Sequence, residues 1–335
     1  MDFVTLGTTG ITVNKNGFGA LPIQRVSEDE STLLLQKAYK NGITFYDTAR
    51  MYSNSESKIK LALGDVRDKI FIATKTAAVE VALFWEHLET SLEMLGMDYV
   101  DIYQFHNPQF CPKPGDESGI YDAMLEAKDM GKIRHIGITC HRIDIAIEAA
   151  ESGLYETIQY PVSYLSTSEE LNFIRLCREK SIGVLAMKAL SGGLITDSAA
   201  AYAFLMQFDN VLPIWGVQRE SELDEFLAFH DVAPLLDERA KRVIARDVDE
   251  LGGDFCRGCG YCMPCPAEII IPICARMSLF IKRAPPSFYM MDEWKESMKR
   301  IDNCTNCGHC KENCPYNLDA PRLLQESWAE YRKLL

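Results

Sequence analysis

No stretch of this 335-residue chain is apolar for long enough to cross a bilayer. The opening MDFVTLGTTG lacks the charged-then-apolar pattern of an export leader. Basic residues are in deficit, with 35 Lys and Arg against 48 Asp and Glu and a net charge of −13. Without a basic run, the chain is expected not to bind nucleic acid, whose phosphates demand a positive footprint. No GxGxxG follows the first expected strand, which disfavours the usual dinucleotide-binding open sheet. Cysteine is scarce over most of the length, since only Cys111, Cys140 and Cys177 fall in the first 250 residues. Twelve cysteines with no export leader argue against a secreted disulfide scaffold. They point to metal or redox use inside the cell, so a cytoplasmic location is expected.

The remaining nine cysteines crowd into the last 80 residues. Charge shifts at the same place: residues 251–335 carry 11 basic and 10 acidic side chains, against 24 and 38 before them. The expected organisation is a domain over 1–235, a linking helix over 236–250 and a Cys-rich domain over 251–335, with the break near Leu251-Gly252-Gly253.

Before that break, short β-rich runs alternate with helical patterns. Strands are expected near 17–21 and at 43–47, 69–74, 99–105, 134–139, 157–160, 183–187 and 210–215. The first long helix has Ser27 as a cap, Glu30 three residues on and Gly42 as its stop. Others are expected at 54–63, 80–95, 119–130, 142–151, 168–180, 196–208 and 220–229. Strands that are apolar throughout suit a parallel sheet covered on both faces. Eight such units in about 250 residues favour an α/β fold of the (β/α)8 TIM-barrel kind, with a doubly wound sheet as the alternative.

In a barrel, residues after the strand C-termini face the site. Asp47 ends the second expected strand and Tyr52 follows in the loop; Lys75 ends the third and His106 the fourth. Each has a bland reading as a cap, a packing ring or a structural hydrogen bonder. Together they make a proton donor for a carbonyl receiving hydride. A tyrosine pKa near ~10 is lowered by a nearby ammonium, a carboxylate holds that ammonium, and an imidazole orients the carbonyl oxygen. The segments YDTARMYSNSE, IATK and DIYQFH resemble those of the aldo-keto reductases, over roughly residues 1–230. The resemblance implies Tyr52 as general acid/base, Lys75 as its pKa-lowering partner, Asp47 paired with Lys75, and His106 orienting the substrate.

The same resemblance implies a nicotinamide cofactor. HIGITCH is similar to the segment that presents Ser-Asn to the carboxamide; here Thr139 keeps a hydroxyl and Cys140 replaces the amide. Gln159 stands at the position of the carboxamide-binding Gln. VLAMKALSGG places Met187 where a stacking Tyr is usual, with Lys188, Gly192 and Gly193 within reach of a pyrophosphate or simply forming a turn. In the segment over 212–226, Gly216-Val217 and Glu222 stand where a Lys-Ser pair and an Arg would grip a 2′-phosphate, leaving Arg219 as the nearby cation. NAD(H) or NADP(H) is therefore expected, without NADP preference, and a flavin is the other hydride carrier considered.

The tail carries Cys256-x2-Cys259-x2-Cys262-x2-Cys265-Pro and Cys304-x2-Cys307-x2-Cys310-x3-Cys314-Pro. Three thiolates at this spacing wrap a cubane, and the Cys before Pro ligates the other cluster in two-cluster proteins. Two [4Fe–4S] clusters are expected, one on Cys256, Cys259, Cys262 and Cys314 and one on Cys304, Cys307, Cys310 and Cys265. A Zn(Cys)4 reading stays open. Cys274 reads as a buried thiol. Helical patterns in SLFIKRA, SFYMMDEWKESMKRI and 320–334 make the tail resemble the helical dicluster ferredoxin domain of respiratory iron–sulfur subunits.

A nicotinamide gives two electrons as hydride, whereas a cluster takes one, so direct coupling needs a converter. The function expected is an oxidoreductase that reduces a carbonyl or oxidises an alcohol, its clusters coupled to a redox partner protein or serving as staples. The alternatives are an electron-transfer protein whose barrel docks partners or binds substrate, and a non-catalytic regulatory barrel. The substrate depends on loops such as 107–119, where Cys111 lines the mouth or merely sits in a surface connection.

Overall fold

The chain is described by a computed structural model over residues 3–251, 253–283 and 286–335. Gly252 of the expected break and Ala284 of the expected SLFIKRA helix lie outside these residues. Two compact units are distinguished: one runs through Ala189 and adds Ser198–Ala240, the other joins Leu190–Asp197 to Lys241–Leu335.

The first unit begins with an antiparallel pair, β1 (Phe3–Thr5) and β2 (Thr12–Asn14). Eight parallel strands follow: β3 (Gly17–Gly19), β4 (Phe45–Asp47), β5 (Phe71–Thr76), β6 (Val100–His106), β7 (Ile133–Thr139), β8 (Thr157–Pro161), β9 (Gly183–Met187) and β10 (Val211–Gly216). They pair in chain order, and β10 closes on β3, giving a barrel without edges. Helices α1 (Glu28–Lys40), α2 (Ser55–Leu63), α3 (Val81–Leu95), α4 (Ile120–Asp129), α5 (Ile143–Ser152), α6 (Ser168–Glu179), α7 (Ser198–Leu205) and α8 (Glu220–Asp231) alternate with them. This is the (β/α)8 architecture expected.

The β1–β2 pair escaped the sequence reading. Val4, Leu6, Ile11 and Val13 join a core cluster with Phe45, Ile102, Leu185 and Leu212, residues at or near the starts of barrel strands. The approach is close: a Cβ on Gly183 would sit 2.8 Å from the Leu6 Cα, so only glycine fits at the first position of β9. The expected strand at 69–74 is displaced as well. Gly64–Lys69 form a 3-10 turn, and β5 runs to Thr76, so Lys75 lies inside the strand rather than after it.

The second unit is helical. It contains α9 (Glu238–Leu251) from Lys241 onward, α10 (Ile271–Cys274), α11 (Met277–Arg283), α12 (Asp292–Lys299), α13 (His309–Glu312) and α14 (Ala320–Arg332). Its core gathers Ile269, Ile271, Met277, Met298, Ile301, Leu324, Trp328 and Tyr331. Asp319 accepts from the Arg322 amide and caps α14. The Trp328 indole donates to Asp302 at 2.7 Å, giving a buried polar ring edge its partner.

Candidate active site and candidate cluster sites

The barrel's polar residues gather at the C-terminal ends of its strands. Asp47 ends β4, Lys75 is the fifth residue of β5, and His106 ends β6. Lys75 is fully buried and Asp47 nearly so. The Lys75 Nζ donates to both Asp47 carboxylate oxygens at 2.8 Å and to the Thr48 carbonyl at 2.5 Å, so its three protons meet three acceptors. Burial pushes the Asp47 carboxyl up and the Lys75 ammonium down, and each is opposed by the partner's charge. With two short bonds to the carboxylate, we take the pair as ionised.

Tyr52 stands over this pair. Its ring centroid lies 5.2 Å from the Lys75 Nζ and 5.8 Å from the His106 ring, at 83°. The loop carrying it is pinned at several points. The Arg50 amide donates to the Lys75 carbonyl, the Thr48 hydroxyl donates to Ser55, and Ser55 donates to the Ala20 carbonyl. Arg50 also pairs with the buried Glu56, which accepts from Thr74. Burial, helped by the Lys75 charge, drives the His106 pKa down to about 3, so the imidazole is neutral near pH 7. Among the described residues its buried Nδ1 has no hydrogen-bond partner.

Behind these side chains runs a buried amide network. Gln104, two residues before His106 and therefore on the same face of β6, donates to Asp47 at 3.4 Å and to the Gln159 Oε1 at 3.0 Å. Gln159 donates to Asp47 at 3.4 Å, and the Thr139 hydroxyl donates to Gln104 at 3.2 Å. Gln104 was missed in the sequence; an amide at i−2 from a strand-end His, in an otherwise apolar run, was the available signal.

The residues expected at the cofactor are more dispersed. Thr139, Cys140 and Gln159 adjoin across β7 and β8, the Cys140 amide donating to the Gln159 carbonyl. Burial pushes the Cys140 thiol well up, so it stays protonated. Met187 ends β9 half-buried, and Lys188 follows with a left-handed φ of 56°. Gly192 and Gly193 group with the second unit, and the Gly192 carbonyl accepts from Arg276 there. Gly216 ends β10, and the exposed Arg219 stands at the N-cap position of α8. The Glu222 carboxylate accepts from the amides of Gln218 and Arg219 at 2.9 and 3.1 Å. It occupies the positive end of α8, where an anionic ligand would otherwise find donors.

In the second unit, Cys265, Cys304, Cys307 and Cys310 line one cavity with Ile269, Ile271 and Leu324. The Cys310 thiol is within electrostatic reach of Cys304, Cys265 and Cys307. Likewise Cys256 senses Cys259 and Cys314, and Cys262 senses Cys256 and Cys259 and, more weakly, Cys310 of the second motif. Cys265 thus lies with the second motif, and Cys314 lies near the first. Among the described residues no three His, Cys, Asp or Glu side chains converge as a single ion requires. Sulfurs that surround a void suit a polynuclear cluster better than one zinc ion, whose Zn–S bonds are about 2.3 Å. Cys274 is buried in the core, its thiol directed at the Ser297 carbonyl.

Residues 255–328 match the 4Fe-4S dicluster domain, and residues 5–201 match the aldo/keto reductase family. L-galactose dehydrogenase of Arabidopsis thaliana is 30% identical over 57% of this chain and 66% of its own length. The NADH-specific methylglyoxal reductase of Escherichia coli is 29% identical over 59% of this chain and 70% of its own. The chain thus spans about two thirds of the curated relatives it matches. A solved aldo-keto reductase from Bacillus halodurans superposes with a TM-score of 0.65 at 22% identity, covering 74% of this chain and 96% of that one. The barrel closure, the strand-end residues and a family match over more than half the length agree: the chain belongs to the aldo/keto reductase family.

Proposed function

We propose that the barrel is a carbonyl reductase or alcohol dehydrogenase using NAD(H) ahead of NADP(H), and that the tail holds two [4Fe–4S] clusters. The observation that carries the first part is the fully buried Lys75, locked to Asp47 and lying 5.2 Å from the Tyr52 ring. When bound, the nicotinamide supplies hydride to the carbonyl carbon and the clusters accept single electrons. Tyr52 gives its proton to the carbonyl oxygen, and takes it back in the alcohol direction. The Lys75 charge stabilises the phenolate that Tyr52 becomes. Asp47 fixes that charge in place, and Gln104 and Gln159 fix Asp47. His106, neutral, has an N–H with which to orient the substrate oxygen.

Thr139 and Gln159 would hold the nicotinamide carboxamide, Met187 would pack on its ring, and Cys140, Lys188, Gly192, Gly193, Gly216 and Arg219 are the further candidates for contact. Glu222 at the start of α8 argues against a 2′-phosphate, and the related E. coli reductase is named as NADH-specific. The eight cysteines in two crossed groups, one around a cavity, are the ligands proposed for the clusters. A redox partner protein would exchange electrons with them. No described helix is long and apolar enough to cross a membrane, and the thiol-rich tail suits a reducing cytoplasm.

The test uses anaerobically purified protein with NADH or NADPH and a panel of small aldehydes and ketones. Tyr52→Phe is expected to lower kcat by about 10²-fold or more while dinucleotide binding persists. Full activity in Tyr52→Phe would reject the assignment and favour a barrel that only docks partners.

A further inference from the structure

Arg276, between α10 and α11, is only 8% exposed, yet no carboxylate pairs with it among the described residues. Its Nε donates to the Pro272 carbonyl at 2.7 Å and its Nη1 to the Gly192 carbonyl at 3.0 Å. Its guanidinium also lies 4.8 Å from the Phe280 ring centroid. Two carbonyls and a ring face satisfy some donors but leave the full charge without a counter-ion, which is costly in a dry site.

The guanidinium packs on one turn of the Cys-rich sequence. A Cβ on Gly258 would sit 2.8 Å from the Arg276 Cζ, and one on Gly192 2.6 Å from its Nη1. Gly258 lies between Cys256 and Cys259, with a left-handed φ of 64°. The thiols of Cys256 and Cys259 are the anions-to-be within its electrostatic reach. The cavity of the other four cysteines has no Lys or Arg in its lining.

We infer that Arg276 is the counter-charge of the cluster on Cys256, Cys259, Cys262 and Cys314, and makes that cluster the more easily reduced of the two. The inference rests on the two-cluster reading above. Reduction adds one electron, and one negative charge, beside a fixed cation in a medium of low dielectric. Net charge and its surroundings are among the determinants of cluster potential. The second cluster lacks this help, so the electron rests on the first at equilibrium.

The experiment is an anaerobic reductive titration of the full-length protein followed by EPR, with iron and sulfide counted in each sample. Cys256→Ala and Cys304→Ala assign the two signals. In the unmodified protein, the signal altered by Cys256→Ala should appear first. Arg276→Gln should lower its reduction constant tenfold or more, about 59 mV for one electron, and leave the other signal in place. An equal shift of both signals, or none in a fully loaded Arg276→Gln protein, would overturn the inference. If that variant does not load, the order of reduction in the unmodified protein decides, and earlier reduction of the Cys304-linked signal overturns it. Absence of iron would instead remove the two-cluster reading beneath it.

Discussion

His106 carries a direct pH consequence. The unfolded imidazole takes up its proton near pH 6.5, whereas the buried one does so only near 3. Between these values the unfolded chain binds more protons, so stability falls as pH drops through that window. One group contributes at most about 1.4 kcal/mol per pH unit. His106→Gln should lose less stability than the parent between pH 6.5 and 4, measured as the urea midpoint at each pH. An identical acid loss in both proteins would mean that His106 titrates normally. The residue itself was legible because it ends an apolar strand, as do Asp47 and, within one position, Lys75. Gln104 was not legible. Inside a strand an amide looks like a tolerated polar residue until the barrel closes and brings Asp47 and Gln159 against it. Arg276 was hidden for the same reason: its burial and its place over the Gly258 turn are products of folding.

The capping signals translated directly at the level of elements. The Ser27–Glu30 capping box starts α1, as the sequence indicated, and Thr167 with Glu170 does the same for α6. The β1–β2 pair did not announce itself, because three-residue strands are too short for a period of two to register. The start of α8 combines both lessons. Glu222 was read as a misfit for a phosphate, and the structure adds that it already satisfies the amides of Gln218 and Arg219. Glu222→Lys would free those donors and replace a repulsive charge with an attractive one. Charge-assisted bonds of about 1.5–3 kcal/mol translate into at least a tenfold gain in the kcat/KM ratio of NADPH to NADH. Unchanged selectivity would place the adenosine end of the cofactor away from α8.

Considered whole, the chain divides its chemistry along the sequence: an acidic barrel with a buried Asp47–Lys75 ion pair, then a nearly neutral helical tail holding eight of the twelve cysteines in two motifs. The barrel is built from local units, so strand and helix periodicity revealed it. The tail is organised by long-range pairing instead. Cys265 groups with Cys304, Cys307 and Cys310, some forty residues on, and Cys314 returns to Cys256. The ligation proposed is crossed in the same sense, as spacing rules imply, although the first motif has one residue fewer before its last Cys. Crossing makes a prediction that simple nearest-neighbour ligation does not. Cys265→Ala should alter the same EPR signal as Cys304→Ala, and Cys314→Ala the same signal as Cys256→Ala. Each should lower iron from about eight per chain towards about four. If Cys265→Ala instead changes the Cys256-linked signal, each motif holds its own cluster. The cavity lined by Cys265 together with the second motif would then need another occupant.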